Sequence, residues 1–349
     1  MNQARVLVFA AMIAGLPATA LAAPEVGGFA AEDFGAICDR LAGSPDDPDL
    51  GRQGTWTSAI SVATAEPACR QAVKDHPGER RYLYELGRTL ERKADAVDAL
   101  DAYRQAAALG SGAALAALGL MYDEGFGIAQ DSKTAADDFQ KAIVAGSPLA
   151  YGDLAYIYDH GELDGVANPA KAFELYQQGA TAGDASAFNR LGTLYQWGRG
   201  VTRDPVKAEA MFRRAIESGD PDTIAEGKND LAWLWVEIGK NLSGAEAMAA
   251  DAVAEAGDDA YNRAAYTDTL AWVEHNLGKD NDALDDEERA IVLDEQSTYD
   301  CRLGDILAAL GDKEKARAAW RRALSLNPPN VADEPDWNAD AIRQKIAGP

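Results

Sequence analysis

A two-residue signature recurs along this chain and constrains its fold more than any other feature. Leu followed by Gly or Ala stands at 86/87, 118/119, 154/155, 191/192, 231/232, 270/271 and 303/304. The successive spacings are 32, 36, 37, 40, 39 and 33 residues. A repeat of that length marks a chain built from stacked supersecondary units, because one such unit cannot bury its own apolar face.

The interior of each unit is legible as two helices. Four residues after Leu comes a large side chain: Leu90, Tyr122, Tyr158, Tyr195, Trp235 or Leu307. That i, i+4 step is helical, and the small residue beside Leu suits a close helix–helix approach. Glycines then interrupt the helix at Gly125 and Gly127, Gly161 and Gly165, Gly198 and Gly200. A second helix follows with alanines and an aromatic on one face: Ala99, Tyr103 and Ala106; Ala208, Phe212 and Ala215; Ala316, Trp320 and Ala323. Gly146, Gly183, Gly219 and Pro328 close their units. Alanine pairs are frequent throughout, which favours helix, and no alternating strand pattern is present. The expected fold is all-α, a right-handed αα-superhelix of about seven helix–turn–helix repeats with a cap at each end.

Residues 1–22 differ from the rest. Arg5 precedes an apolar run from Val6 to Leu16, and Ala20-Leu21-Ala22 fits a small-x-small cleavage site. This reads as a secretory signal peptide, cleaved after Ala22, and the expected location is periplasmic or secreted. The apolar run is too short to span a bilayer, and no later stretch is long enough to be a membrane span. An oxidising compartment permits a disulfide. Cys38 and Cys69 share the N-terminal segment while Cys301 is distant, so a Cys38–Cys69 bond is the economical pairing. The formal net charge of −24 repels phosphate backbones and anionic headgroups, so nucleic acid is not an expected partner. A partner with a basic patch would be attracted.

The three units over 113–220 resemble Sel1-like repeats. The last of them reads Leu191-Gly192, Tyr195, Gly198, Gly200-Val201, Asp204, Lys207-Ala208, Ala215 and Gly219. The first has Ile128 for Val, Asp131 and Phe139; the middle one has a longer loop, 161–166, and Asn168 in place of Asp. The unit at 78–112 and the three over 221–330 look like tetratricopeptide repeats, the final one carrying Leu303, Gly304, Leu307, Ala316, Trp320, Ala323 and Pro328. In unit six Glu274 and Glu287 stand where the pattern wants apolar side chains. By the same offsets 66–77 is a lone second helix within an N-terminal cap over 23–77, with Cys69 in the aromatic place. Residues 331–349 hold a capping helix, 335–346, with Trp337, Ile342 and Ile346 on one face.

Little points to catalysis. His76, His160 and His275 fall in different units, no nucleophile or phosphate-loop motif is present, and no cofactor or metal-ligand spacing occurs. What the resemblance implies instead is a groove. In a tetratricopeptide array the first helices line the concave face, and the pattern assigns inward positions relative to Leu-Gly. Carried over, these are Arg81, Tyr84, Arg88 and Glu91, then Tyr156 and Asp159, Asn189 and Gln196, Asn229 and Trp233, Trp272 and His275. The mix of amides, aromatics and charges suits capture of a protein or peptide. The resemblance thus implies an exported interaction scaffold or adaptor of the envelope. Two alternatives stand beside it. One is a secreted enzyme of β-lactamase or penicillin-binding type, against which this chain lacks the cysteine pair in each repeat. The other is a module that binds peptidoglycan or another carbohydrate through its tryptophans.

Overall fold

The structure, a computed structural model, describes residues 33–45, 50, 55, 57–257, 259–326 and 338–348. The signal-peptide reading of 1–22, Pro328 and Trp337 lie outside these residues. Among the described residues there are seventeen α-helices, one 3-10 turn (Thr57–Ala59) and no strand. Helices α3 (Arg80–Arg92) to α16 (Lys313–Ser325) form seven antiparallel pairs, one for each Leu-Gly or Leu-Ala signature. Each pair packs on the next, so the core is a chain of linked clusters running along an all-α solenoid.

The signature is explained by one contact. A Cβ added at Gly87, Gly119, Gly192 or Gly304 would fall inside the ring of Tyr103, Phe139, Phe212 or Trp320 on the second helix of the same pair. The glycine and the aromatic are therefore one packing unit, split between two helices. Tyr103, Phe139 and Phe212 are fully buried as a result. The Asp of the Sel1 pattern has an equally local cause. Asp131, Asn168 and Asp204 are N-caps that accept backbone N–H bonds from Thr134, Lys171 and Lys207. Asn in the middle unit thus preserves the cap. At Gly200, φ is +67° and a side chain would strike Pro169 of the preceding unit, so the loop glycine also sets the stacking of units.

The N-terminal cap differs from expectation. It is a helix pair: α1 (Phe34–Ala42) packs on α2 (Val62–Asp75), where a lone second helix was expected. Cys38 and Cys69 are disulfide-bonded with their Cα atoms 4.8 Å apart, and both are fully buried. Helix α1 was hidden in the sequence because its Leu-Ala pair, Leu41-Ala42, stands off the regular spacing of the others; Gly35 makes its close approach to Tyr82 of α3. At the other end α17 (Ala339–Ala347) lays Ile342 and Ile346 on Leu303, Leu307 and Trp320.

Candidate binding groove

The first helices of the pairs, α3, α5, α7, α9, α11, α13 and α15, form the inner layer. Their inward residues meet three fates. Arg88, Asp159, Asn189 and Gln196 are corrections to the expected contact surface, because all four are buried and committed within the chain. Arg88 donates to the carbonyls of Ala42 (2.6 Å) and Thr55 (3.1 Å) and to Thr57 Oγ1 (2.7 Å), clamping the N-terminal cap. Asp159 pairs with Arg199 at 2.8 Å. Asn189 donates to the Thr223 carbonyl and to Glu226, both at 3.0 Å, and Gln196 donates to Glu237 at 2.7 Å. Each of these bonds joins one unit to another, and the inner helices α9, α11 and α13 touch directly. Polar residues at inward offsets therefore become staples where the solenoid curls tightly.

A second set lies at the N-terminal half of the groove. Arg81 pairs with Asp39 at 2.9 Å, and Tyr84 packs tilted on Tyr103. Glu91 is exposed and accepts a 2.5 Å bond from the Tyr103 hydroxyl. Tyr156 is 38% exposed and stacks on His160, centroids 3.8 Å apart. Between these side chains runs a group of acids that sequence reasoning did not single out: Asp123 and Glu124 at the end of α5, Asp153 on α7 and Glu162 just after it. Burial and the neighbouring Asp184, Asp123 and Glu124 push the Asp153 carboxyl up to about 8. Burial and Asp123 push Glu162 up to about 7. Glu124 is raised by burial, Glu91 and Asp123. Asp123 stands five residues after Leu118, the offset that also gives Glu91 and Asp159, so the repeat could have found it.

The third set lines a cleft in the C-terminal half. Asn229 and Trp233 of α11, Trp272 of α13 and Arg302 of α15 border two cavities of about 170 and 180 Å3 that meet at Trp233 and Arg302. The Arg302 guanidinium lies 4.5 Å from the centre of the Trp233 ring and pairs with Asp268. Trp272 is tilted against His275, whose Nδ1 is 2.7 Å from Asp280. Lys345 of α17 pairs with Asp305 at 2.6 Å on the rim. Asp268, Cys301 and Asp305 occupy the offsets of Asn229 and Trp233 in the next two units, so carrying the pattern through unit seven would have found them.

Beneath this cleft lies Glu287, at the aromatic place of unit six. It is fully buried with Asp268 and Arg302 nearby, and burial with Asp268 beside it raises its carboxyl well above the usual range. Other units have a ring at this place. Glu274 is likewise raised, to about 7, by burial. The histidines stay apart: His76 is 3.2 Å from Asp33, and His160 contacts the Tyr156 carbonyl. Cys38, Cys69 and Glu85 lie within 4.8 Å of one another, but the two sulfurs are bonded to each other.

A family model for the Sel1 repeat matches residues 78–111, 112–146, 148–184 and 185–220, and one for the tetratricopeptide repeat matches 301–330. The chain thus carries four Sel1 repeats and one tetratricopeptide repeat. The unit at 78–112, expected to be tetratricopeptide-like, is taken by the Sel1 model. The two repeat types share the helix pair and differ mainly in the mid-unit loop, which here is only 93–95. The repeat protein is 36% identical over 129 residues to the alginate biosynthesis protein AlgK of Azotobacter vinelandii. That stretch is 37% of this chain and 26% of AlgK, so the chain matches about a quarter of that curated relative. It superposes on a protective antigen of uropathogenic Escherichia coli with an SLR fold, at TM-score 0.58 and 23% identity, over 80% of this chain and 60% of the antigen. With a Sel1 repeat protein of Oxalobacter formigenes the values are 0.52 and 21%, over 64% and 92%. Both likenesses establish the fold alone. No helix among the described residues is long and apolar enough to cross a membrane.

Proposed function

We propose that this repeat protein is an exported, non-catalytic scaffold that holds a protein partner in the acidic N-terminal half of its groove. The observation that carries the reading is the cluster of Glu91, Asp123, Glu124, Asp153 and Glu162 on successive inner helices. Mutual repulsion and burial keep several of these carboxyls partly protonated, so a cation entering between them would find sites that ionise in its favour. A basic segment of a partner supplies such cations, and a net charge of −24 would steer it in. The Sel1 and tetratricopeptide architecture is suited to protein–protein interaction, and the match to an alginate biosynthesis protein supports a place in the cell envelope.

Crosslinking in the native envelope followed by mass spectrometry tests this. The expected result is a discrete partner whose recovery falls with salt and is lost when Glu91→Gln, Asp123→Asn and Glu124→Gln are combined. Recovery of chaperones alone, or of a partner indifferent to those substitutions, would sink the reading. Covalent labelling of the protein by a fluorescent penicillin would favour the enzyme alternative instead.

A further inference from the structure

The cleft of the C-terminal half differs in chemistry from the acidic half, and the difference narrows what it can hold. Every cation in it faces its own carboxylate: Arg302 faces Asp268 and Lys345 faces Asp305. The remaining acid of the cleft, Asp230, is raised to about 8 by burial and Glu226, so a chain of net charge −24 has built a cleft that is close to neutral. Among the buried polar atoms there without a hydrogen bond are two on neutral side chains. Thr298, 4% exposed, lines the first cavity, and its Oγ1 has no hydrogen-bond partner. Asn229 lines the second, and its Oδ1 is buried and unpaired. Buried hydrogen-bonding groups are rarely left unmet in a native protein, so these two atoms are available to hydroxyls of a ligand in the cleft.

We infer that this cleft binds an uncharged oligosaccharide of equatorially substituted hexopyranoses, lying across Trp233 and Trp272. A vicinal pair of hydroxyls donates to a carboxylate and accepts from the adjoining cation at once. Asp268 beside Arg302, and Asp305 beside Lys345, offer that acceptor–donor pairing twice along one cleft. A charged side chain would oppose one member of each pair. A pyranose with equatorial hydroxyls turns its axial C–H bonds to either face, and that apolar face lies flat on an indole. Thr298 and Asn229, one in each cavity, would take hydroxyls from neighbouring rings. The combined space, about 350 Å3, lies within the usual range for ligand clefts and is open to solvent along the groove, as a chain ligand requires. This inference does not depend on a protein partner for the acidic half.

The full chain, titrated with cellohexaose and with chitohexaose, is followed by calorimetry and by tryptophan fluorescence. One or both hexaoses should bind saturably and shift the emission. Trp272→Ala should weaken binding about tenfold, Trp272→Phe less, and Thr298→Val severalfold. Thr298→Val keeps the shape of the side chain, and melting curves of all variants confirm that they fold. Three results overturn the inference: no binding of either hexaose at millimolar concentration, binding unchanged by Thr298→Val and Trp272→Ala, or polygalacturonate binding as tightly as the neutral sugars. Competition by unstructured peptides for the same fluorescence change would assign the cleft to polypeptide and also overturn it. The crosslinking outcome for Glu91, Asp123 and Glu124 is unaffected by any of these results, so the two readings fail separately.

Discussion

Gly192 and Phe212 are the smallest unit of this fold, and the chain tolerates little change in either. A Cβ at 192 would lie within the Phe212 ring, and the neighbouring Leu191 and Leu194 are 4% and 2% exposed, so the ring has nowhere to go. Gly192→Val should lower stability by about 1–3 kcal/mol, the usual range for overpacking, in urea unfolding. Glu287 is the same position used differently. Its folded carboxyl titrates well above the unfolded value, so the folded state binds a proton that the unfolded chain releases. For such a group stability is greatest below the unfolded carboxyl range, near pH 4, and declines as pH rises through the folded value. Glu287→Gln mimics the protonated form. It should melt higher than the wild type at pH 8, with the difference shrinking toward pH 5; a lower melting temperature at pH 8 would show that the ionised form is the stable one.

At the scale of elements, α1 is short, nine residues, and separated from its partner α2 by a long connection. The Cys38–Cys69 bond closes a loop of 31 residues, worth about 3–4 kcal/mol in the chain-entropy model. Arg88 adds three hydrogen bonds from α3 to the cap. Unreduced protein should yield a Cys38–Cys69 linked peptide by mass spectrometry. Arg88→Ala or reduction should expose 33–60 to protease before the repeat core is cut; simultaneous cleavage throughout would show that the cap and the repeats unfold as one. The second-helix N-caps make a gentler case. Asp204→Ala should cost about 1 kcal/mol of stability, read from the shift in denaturation midpoint, since only one cap bond is lost.

Across the whole molecule the acidic groups act together. Asp153 and Asp230 are raised to about 8 by burial and neighbouring acids, and Glu274 to about 7 by burial. Folding therefore takes up protons between the unfolded carboxyl range near 4 and about pH 8, and stability falls as pH rises through that window. Repulsion within a chain of −24 has the same sign. The melting temperature should be higher at pH 5.5 than at pH 8, and added salt should narrow the gap; a flat profile by calorimetry would mean that these carboxyls are ionised in the fold.

Much of this architecture could be read without coordinates. The Leu-Gly pairs, the aromatics of the second helices and the caps at Asp131, Asn168 and Asp204 each act within one unit, over a span where sequence offset dictates geometry. That locality is why seven pairs, the disulfide and the final helix were legible. Helix α1 was not, since its Leu41-Ala42 pair falls outside the regular spacing and its glycine approach is made to Tyr82 of α3 and not to its partner α2. Nor was the division of the inward residues. Offset places Asn189, Gln196 and Trp233 on one face alike, but the curl that brings α9, α11 and α13 together buries the first two as staples and leaves the tryptophan on an open cleft. The sequence alone determined which face of each helix points inward. Only the tertiary structure decided which of those residues remain reachable, because that depends on how closely each unit stacks on the next.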